Sequence, residues 1–249
     1  MLRAVMGGRI WRVVGMAAAS LGLPQAAHAQ AADTLEPHIL PPVNVSVTRA
    51  DLPLTRSPHA ITSIEKPHIS RARPTWGLDE ALLLVPGVYA ANRYNFSLDQ
   101  RISIRGFGSR SAFAVRGIKV LIDGIPQTLP DGQGQLTNLD LGLVDRIEVL
   151  RGASSALYGN ASGGVISVWT NPVARAPLSQ EIRVVAGAFD RDLDRTWSKW
   201  HSTTRFRVGA GSGLVHVSRL DYDGERDYSA ADLRNLNTRF HLPLAGGWS

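Results

Sequence analysis

Between residues 144 and 169 the hydrophobic pattern changes period twice within one short run. Polar and apolar positions alternate from Asp145 to Arg151. Ile147 and Val149 share one side, with Arg146 and Glu148 on the other, which predicts a strand with one buried face. Gly152 ends it. Ser154 or Ser155 is placed to cap a single helical turn through Ala156, Leu157 and Tyr158, and Gly159 suits a left-handed exit. Gly163 and Gly164 let two backbones approach closely. Residues 165–169 then form a run apolar enough for a strand covered on both faces.

Upstream the period is helical. Leu78, Ala81, Leu82 and Val85 fall on one face of a helix predicted from a Thr75 cap to Leu84. Asp79 and Glu80 sit at its positive end, and Pro86-Gly87 stops it. Strands are predicted at Arg101 to Arg105, with Ile102 and Ile104 inward, and at Val120 to Ile122, followed by an Asp123-Gly124 hairpin turn. Thr137 or Asn138 is placed to cap a short helix before Asp145. Beyond Pro172 only two-residue alternation is found. Ile182, Val184 and Ala186 alternate with Glu181, Arg183 and Val185, and Phe206, Val208 and Ala210 with Arg205, Arg207 and Gly209. From Leu214 to Tyr222 the phase slips near Ser218. Asp223-Gly224 reads as a turn, and Asn237 to Leu244 as a further strand.

The run through Asp145, Ile147, Glu148, Val149, Arg151, Gly152, Ser155, Tyr158, Gly159, Gly163, Gly164, Val165, Ile166 and Thr170 resembles the end of the plug domain of TonB-dependent outer-membrane receptors. Ala153 replaces the proline usual there, losing turn rigidity but no chemistry. Leu78, Leu82, Val85-Pro86-Gly87-Val88, the Ile104-Arg105-Gly106-Phe107-Gly108 stretch and Val120, Asp123, Gly124 and Pro126 are similar to further plug motifs. After residue 172 the likeness to early barrel strands is looser, strongest at residues 222–229. The fold expected is therefore α+β. A plug domain with a small mixed β-sheet and short helices (51–172) is followed by the first antiparallel strands of an incomplete transmembrane β-barrel (173–249).

Composition sets the compartment. Arg3, Arg9 and Arg12 precede a short apolar core, and Ala27-His28-Ala29 reads as a cleavage site, so residues 1–29 are expected to be a secretory signal peptide. The apolar run falls short of the ~20 residues of a membrane helix. Without that segment 24 basic residues face 21 acidic ones, a charge of +3 instead of +6, too small to argue for nucleic acid. There is no cysteine, and the three methionines all precede residue 30, so thiolate and thioether metal sites are excluded beyond it.

The chemistry-bearing patterns come up empty for catalysis. Gly106-Phe107-Gly108 lacks the third glycine of a dinucleotide loop, Ser162 fails the nucleophile-elbow spacing, and the histidines lack paired metal-ligand spacing. The expectation is no enzyme, no cofactor and no metal site. Two constellations remain. Residues 30–50 form a polar tail carrying Val43, Asn44, Val45, Ser46, Val47 and Thr48, a β-branched alternation able to add to another protein's sheet edge. It looks like the family's TonB box, and the tail is too short for an extra periplasmic signalling domain. Polar loops at 91–98, 108–113 and 127–135 carry Arg93, Tyr94, Asn95, Arg110, Gln127, Asp131 and Gln133. The resemblance implies that such loops touch substrate, and arginines beside an aromatic suit an anionic, oxygen-rich ferric chelate.

The resemblance further implies that Arg105, Glu148 and Arg151 latch the plug to the barrel wall through charge pairs. It also implies a Gram-negative outer-membrane location, TonB as partner and a barrel of 22 strands. The 77 residues after Pro172 hold three or four strands, while outer-membrane barrels need at least ~8, so as written the chain is expected to be a fragment without a working pore. The function expected is active uptake of a ferric siderophore or ferric citrate. The alternatives are cobalamin, haem or a glycan as substrate, an isolated plug that only binds TonB, and a nucleic-acid-binding domain.

Overall fold

The computed structural model describes residues 43–91, 94, 96, 100–111, 114–134, 136, 138–170, 176–189 and 194–242. The signal-peptide reading, most of the tail, Arg93, Asn95 and Thr137 lie outside them. The main strands are β1 (Ala60–Glu65), β2 (Ile118–Ile122), β3 (Val144–Arg151), β4 (Gly164–Thr170), β5 (Leu178–Ala188), β6 (Thr196–Val208), β7 (Gly211–Tyr222) and β8 (Ala231–His241). The helices are α1 (Lys66–Ser70), α2 (Asp79–Leu82) and α3 (Ser155–Tyr158).

The first sheet is mixed, in the order β1-β3-β4-β2 and then Ile125–Pro126. β3 runs antiparallel to both neighbours, and β4 pairs parallel with β2. The glycine pair works as its sequence suggests. Gly164 takes a φ of +145°, and a Cβ there would strike the Leu150 carbonyl. At Gly163 a Cβ would lie 2.5 Å from that of Phe107. The Asp123-Gly124 turn has φ of 50° and 82°, and it pairs Ile122 with Ile125 as a two-residue hairpin. Arg101–Ile104 pairs separately with Val88–Ala91, yet Ile102 and Ile104 enter the same apolar core as Leu78, Ala81, Leu82, Val85, Ile147 and Ile166.

Three local expectations are corrected. Thr75 does not cap a helix. Its φ is +61°, its hydroxyl donates to Pro74 O, and the amides of Thr75 and Trp76 donate instead to the Glu80 carboxylate at 2.9 and 2.5 Å. The longer side chain reaches back over the helix start, and the regular helix shrinks to α2 with irregular turns at each end. The turn before β3 is the short 3-10 segment Leu141–Leu143, capped by Asp140, whose carboxylate accepts from Gly142 N at 2.6 Å. Glu148 does not face water, because both faces of β3 are covered.

The second sheet is an antiparallel meander, β5-β6-β7-β8, in unbroken register. Its amphipathicity is inverted. Lys199, His201, Thr203, His216 and Ser218 are buried on the inner face, while Ile182 (65% exposed), Val184 (71%), Leu236 (70%) and Phe240 (61%) point outward. This is the pattern of a sheet with a polar interior and an apolar exterior. It explains the apparent slip at Ser218. The register holds, but the outer face passes from Val215 and Val217 to Arg219 and Asp221, while the inner face passes from His216 and Ser218 to Leu220 and Tyr222. Ala210 belongs to the two-residue β6–β7 turn and not to a strand, and Asp223-Gly224 opens a longer loop to β8.

Gly164→Ala is expected to destabilise the first sheet by about 3 kcal/mol, since it adds a backbone clash to an unfavourable φ. Gly124→Ala, at φ +82° in the hairpin turn with open space around its Cβ, is expected to cost about 1 kcal/mol. Urea unfolding followed by tryptophan fluorescence measures both; equal midpoints would contradict the close-approach argument.

Candidate functional site

The valine-rich N-terminal segment is docked on the plug. Asn44–Val45 pairs antiparallel with Leu52–Pro53, and Val45 and Val47 pack on Ile61, Leu121, Leu150 and Val165. The fastening is a carboxylate. Glu148 is fully buried, and its Oε2 accepts from Ser46 N at 3.0 Å and Val47 N at 2.8 Å, while its Oε1 lies 3.1 Å from Arg146 Nη2. Tyr158 donates its hydroxyl to Val47 O at 2.7 Å beneath the Arg49 guanidinium, 4.6 Å from the ring centre. Burial raises the Tyr158 hydroxyl above its ordinary pKa, against the opposing pull of Arg49, so it stays a donor at neutral pH.

A second set of contacts joins the two sheets. Lys66 Nζ meets Glu181 Oε2 at 2.5 Å, and Arg183 donates to Arg73 O at 2.7 Å. Arg239 of β8 donates to Asp123 and Thr170, and the Asp123 carboxylate also accepts from Thr170 N at 2.9 Å. The best-buried set surrounds Asp140. Lys199 Nζ lies 3.0 Å from Asp140 Oδ1 and donates to Thr75 O at 2.5 Å, Ser218 donates to Oδ2, and His216 Nε2 stands 3.8 Å from Oδ2. The other His216 ring nitrogen shares a 2.7 Å hydrogen bond with the Thr203 hydroxyl. Burial opposes ionisation of Asp140, but His216, Lys199 and Ser218 together outweigh it and hold the carboxyl well below the usual carboxylate range.

The described contacts of the expected latch residues lie within the plug. Glu148 holds the N-terminal segment, because the valines seal its face of the sheet. Arg151 donates to Pro86 O at 3.0 Å within the same domain, and Arg105 is exposed, with its backbone amide on Gly87 O at 2.8 Å. The expected substrate residues are scattered. Tyr94 lines a cleft of about 1110 Å³ with Phe96, Tyr222 and Arg226; Arg110, Gln127, Asp131 and Gln133 do not line it. Asp131 accepts from Gln133 N at 3.0 Å, a turn of its own making. Arg93 and Asn95 lie outside the described residues.

A mixed sheet with a docked N-terminal strand, packed on an antiparallel sheet whose polar side faces it, matches known proteins. The family model for the TonB-dependent Receptor Plug Domain matches residues 53–165. The chain belongs to the TonB-dependent receptors. The pesticin receptor of Yersinia pestis is 27% identical over 218 residues, covering 87% of this chain and 30% of that protein. The ferric citrate transporter FecA in its unliganded form superimposes with a TM-score of 0.61 at 25% identity, covering 73% of this chain and 28% of FecA. The ferric yersiniabactin uptake receptor FyuA from Yersinia pestis gives 0.54 at 26%, covering 73% and 29%. The chain thus spans under a third of the length of each. Its plug and early barrel strands match the α+β architecture expected, and the strands present form an open sheet.

Sequence reasoning missed the residues that join plug to barrel sheet in this receptor. Asp140, between Leu139 and Leu141, carried a signal, since an isolated carboxylate in an apolar run is buried only when paired. Its partners Lys199 and Ser218 could be found only through the inverted face of β6 and β7.

Asp140→Asn should cost about 3–5 kcal/mol, because it leaves Lys199 buried without its counter-charge, and Asp140→Asn/Lys199→Met should recover much of that loss. A depressed carboxyl contributes stability that is complete above its unfolded pKa, near ~4, and is lost as pH falls through the lower folded value. Thermal unfolding from pH 7 to 3 in detergent should therefore show the wild type weakening only below about pH 4 and Asp140→Asn changing less over that range. Identical profiles would remove the pair from the account.

Proposed function

We propose that this chain carries the plug and first barrel strands of an outer-membrane receptor for energy-dependent uptake of a ferric chelate, a siderophore or ferric citrate. The observation that carries the reading is the N-terminal strand, fastened to the plug through one buried carboxylate. A β-branched strand whose backbone can transfer to another sheet edge is suited to pairing with TonB. When Val43, Asn44, Val45, Ser46, Val47 and Thr48 leave their site, Glu148 loses its two amide donors and Arg146 its 3.3 Å contact to Asn44 O. A pull on the segment therefore reaches β3, an interior strand of the mixed sheet. The neighbouring receptors for ferric citrate and ferric yersiniabactin support iron chelates as cargo, and the family's outer-membrane location and TonB partnership extend to this chain as part of the same proposal.

Glu148→Ala removes the acceptor for two backbone amides. Charge-assisted hydrogen bonds are worth about 1.5–3 kcal/mol each, so the open state should gain at least ten-fold in population. Trypsin should then cleave after Arg49 correspondingly faster, and the purified periplasmic domain of TonB should bind the variant more tightly than the wild type. Unchanged cleavage and unchanged TonB binding would refute the fastening role. Loss of TonB- and proton-motive-force-dependent iron accumulation from ferric chelates, in cells whose copy of this sequence is disrupted, tests the transport itself; undiminished accumulation of every chelate would reject it.

A further inference from the structure

The cleft of about 1110 Å³ at the end of the barrel sheet with the longer loops is walled by tyrosine. Four of the five tyrosines in the protein, Tyr89, Tyr94, Tyr222 and Tyr228, line it, together with Phe96. Its floor is fixed, because buried Tyr222 packs edge-on against Trp76 at 5.4 Å and Phe96 at 5.1 Å, and lies stacked on Tyr94 at 6.2 Å. Its rim is open. Tyr89 is 68% exposed, Tyr94 46% and Tyr228 fully so. Rings held in water around an aromatic floor offer π faces and edges that a ligand with rings of its own can cover.

Charge narrows the ligand further. The described lining residues include three carboxylates, Asp79, Glu225 and Asp232, against one cation, Arg226. Asp79 is bound to Gln100, and Asp232 to Arg219 and Arg234, so these acids are fixed in place. Asp232 is thus answered by two arginines, and the described lining carries no excess of cations that would draw a compact polyanion such as ferric citrate. This departs from the expectation of arginine-led capture.

We infer that the cleft selects an iron chelate of low net charge whose chelating arms carry aromatic rings, in preference to an aliphatic polycarboxylate complex. The inference rests on the iron-chelate reading above and specifies its cargo. Trp76 lies against this site, in edge contact with Trp197 at 4.7 Å, so intrinsic fluorescence reports occupancy by a quenching ferric centre.

The test titrates the full chain in detergent micelles with three complexes. Ferric tris(benzohydroxamate) is neutral and aromatic, ferric tris(acetohydroxamate) is neutral and aliphatic, and ferric citrate is anionic. The aromatic complex should bind about ten-fold tighter than the aliphatic one, and ferric citrate should bind weakest. Tyr89→Ala and Tyr94→Ala should each abolish most of that preference, and the corresponding phenylalanine variants should retain it. Tyr89 is largely in water, so its variant tests the site even if Tyr94→Ala misfolds. Equal binding of the two hydroxamates, or tighter binding of citrate, would overturn the aromatic selectivity and leave iron-chelate uptake standing. Binding of none of the three would overturn both.

Discussion

A sheet that turns its charged side inward can be buried only against a surface that answers each charge. That constraint organises this molecule. β6 and β7 present Lys199, His216 and Ser218 to the plug, and the plug returns Asp140. β5 presents Glu181 and Arg183, and the plug returns Lys66 and the Arg73 carbonyl. β8 presents Arg239, and the plug returns Asp123. Such pairs add little net stability, because desolvation cancels most of their Coulomb gain, but losing one partner is costly. They therefore specify where the plug sits more than how tightly it is held. A surface with these properties suits a domain that must dock in one register and still be movable, which a continuous apolar interface would resist.

Much of the plug was legible because local period and burial agree. Ile102, Ile104, Leu78, Leu82 and Val85 are buried where their spacing places them, and Asp123-Gly124 makes the turn that its residue types favour. Two errors share a cause: side chains reached across the chain to satisfy backbone groups. Glu80 took the helix start from Thr75, and Glu148 took the amides of Ser46 and Val47 from more than 100 positions away in sequence. An alternating pattern reports which residues share a face, not whether that face meets water. β3 looked half-exposed because the segment that covers it lies far upstream. In the barrel sheet the same pattern was read in the wrong phase at Ser218, where the polar character of the two faces exchanges along the strand.

The candidate site was less legible than the fold. A loop arginine or glutamine looks the same in sequence whether it binds a ligand or merely keeps a turn soluble, and the described contact between Asp131 and Gln133 runs from the Gln133 backbone amide to the Asp131 carboxylate. What distinguishes the rim cleft is convergence. Tyr89 follows α2, Tyr94 lies in the next loop, and Tyr222 and Tyr228 flank the turn from β7 into β8. No single segment carries a motif for this arrangement, and only the packing of plug on barrel sheet assembles it.

The two fastenings differ in how they respond to force. The N-terminal segment is held by contacts in sequence order: Asn44–Val45 on Leu52–Pro53, then Ser46 and Val47 on Glu148, then Val47 on Tyr158. A pull from either end of that segment meets them one after another, so no step must break all of them together. The plug–barrel contacts are arranged in parallel, spread over four strands and both ends of the plug sheet, so a pull loads many at once. The first fastening therefore yields at lower force than the second. When the segment is drawn off, Glu148 loses two donors and keeps only Arg146, and a buried carboxylate left so poorly satisfied destabilises the strand that bears it. That strand is β3, which begins four residues after Asp140, the best-buried anchor between plug and barrel. Loss of order at Glu148 thus lies one strand's length from the contact that positions the plug against the second sheet.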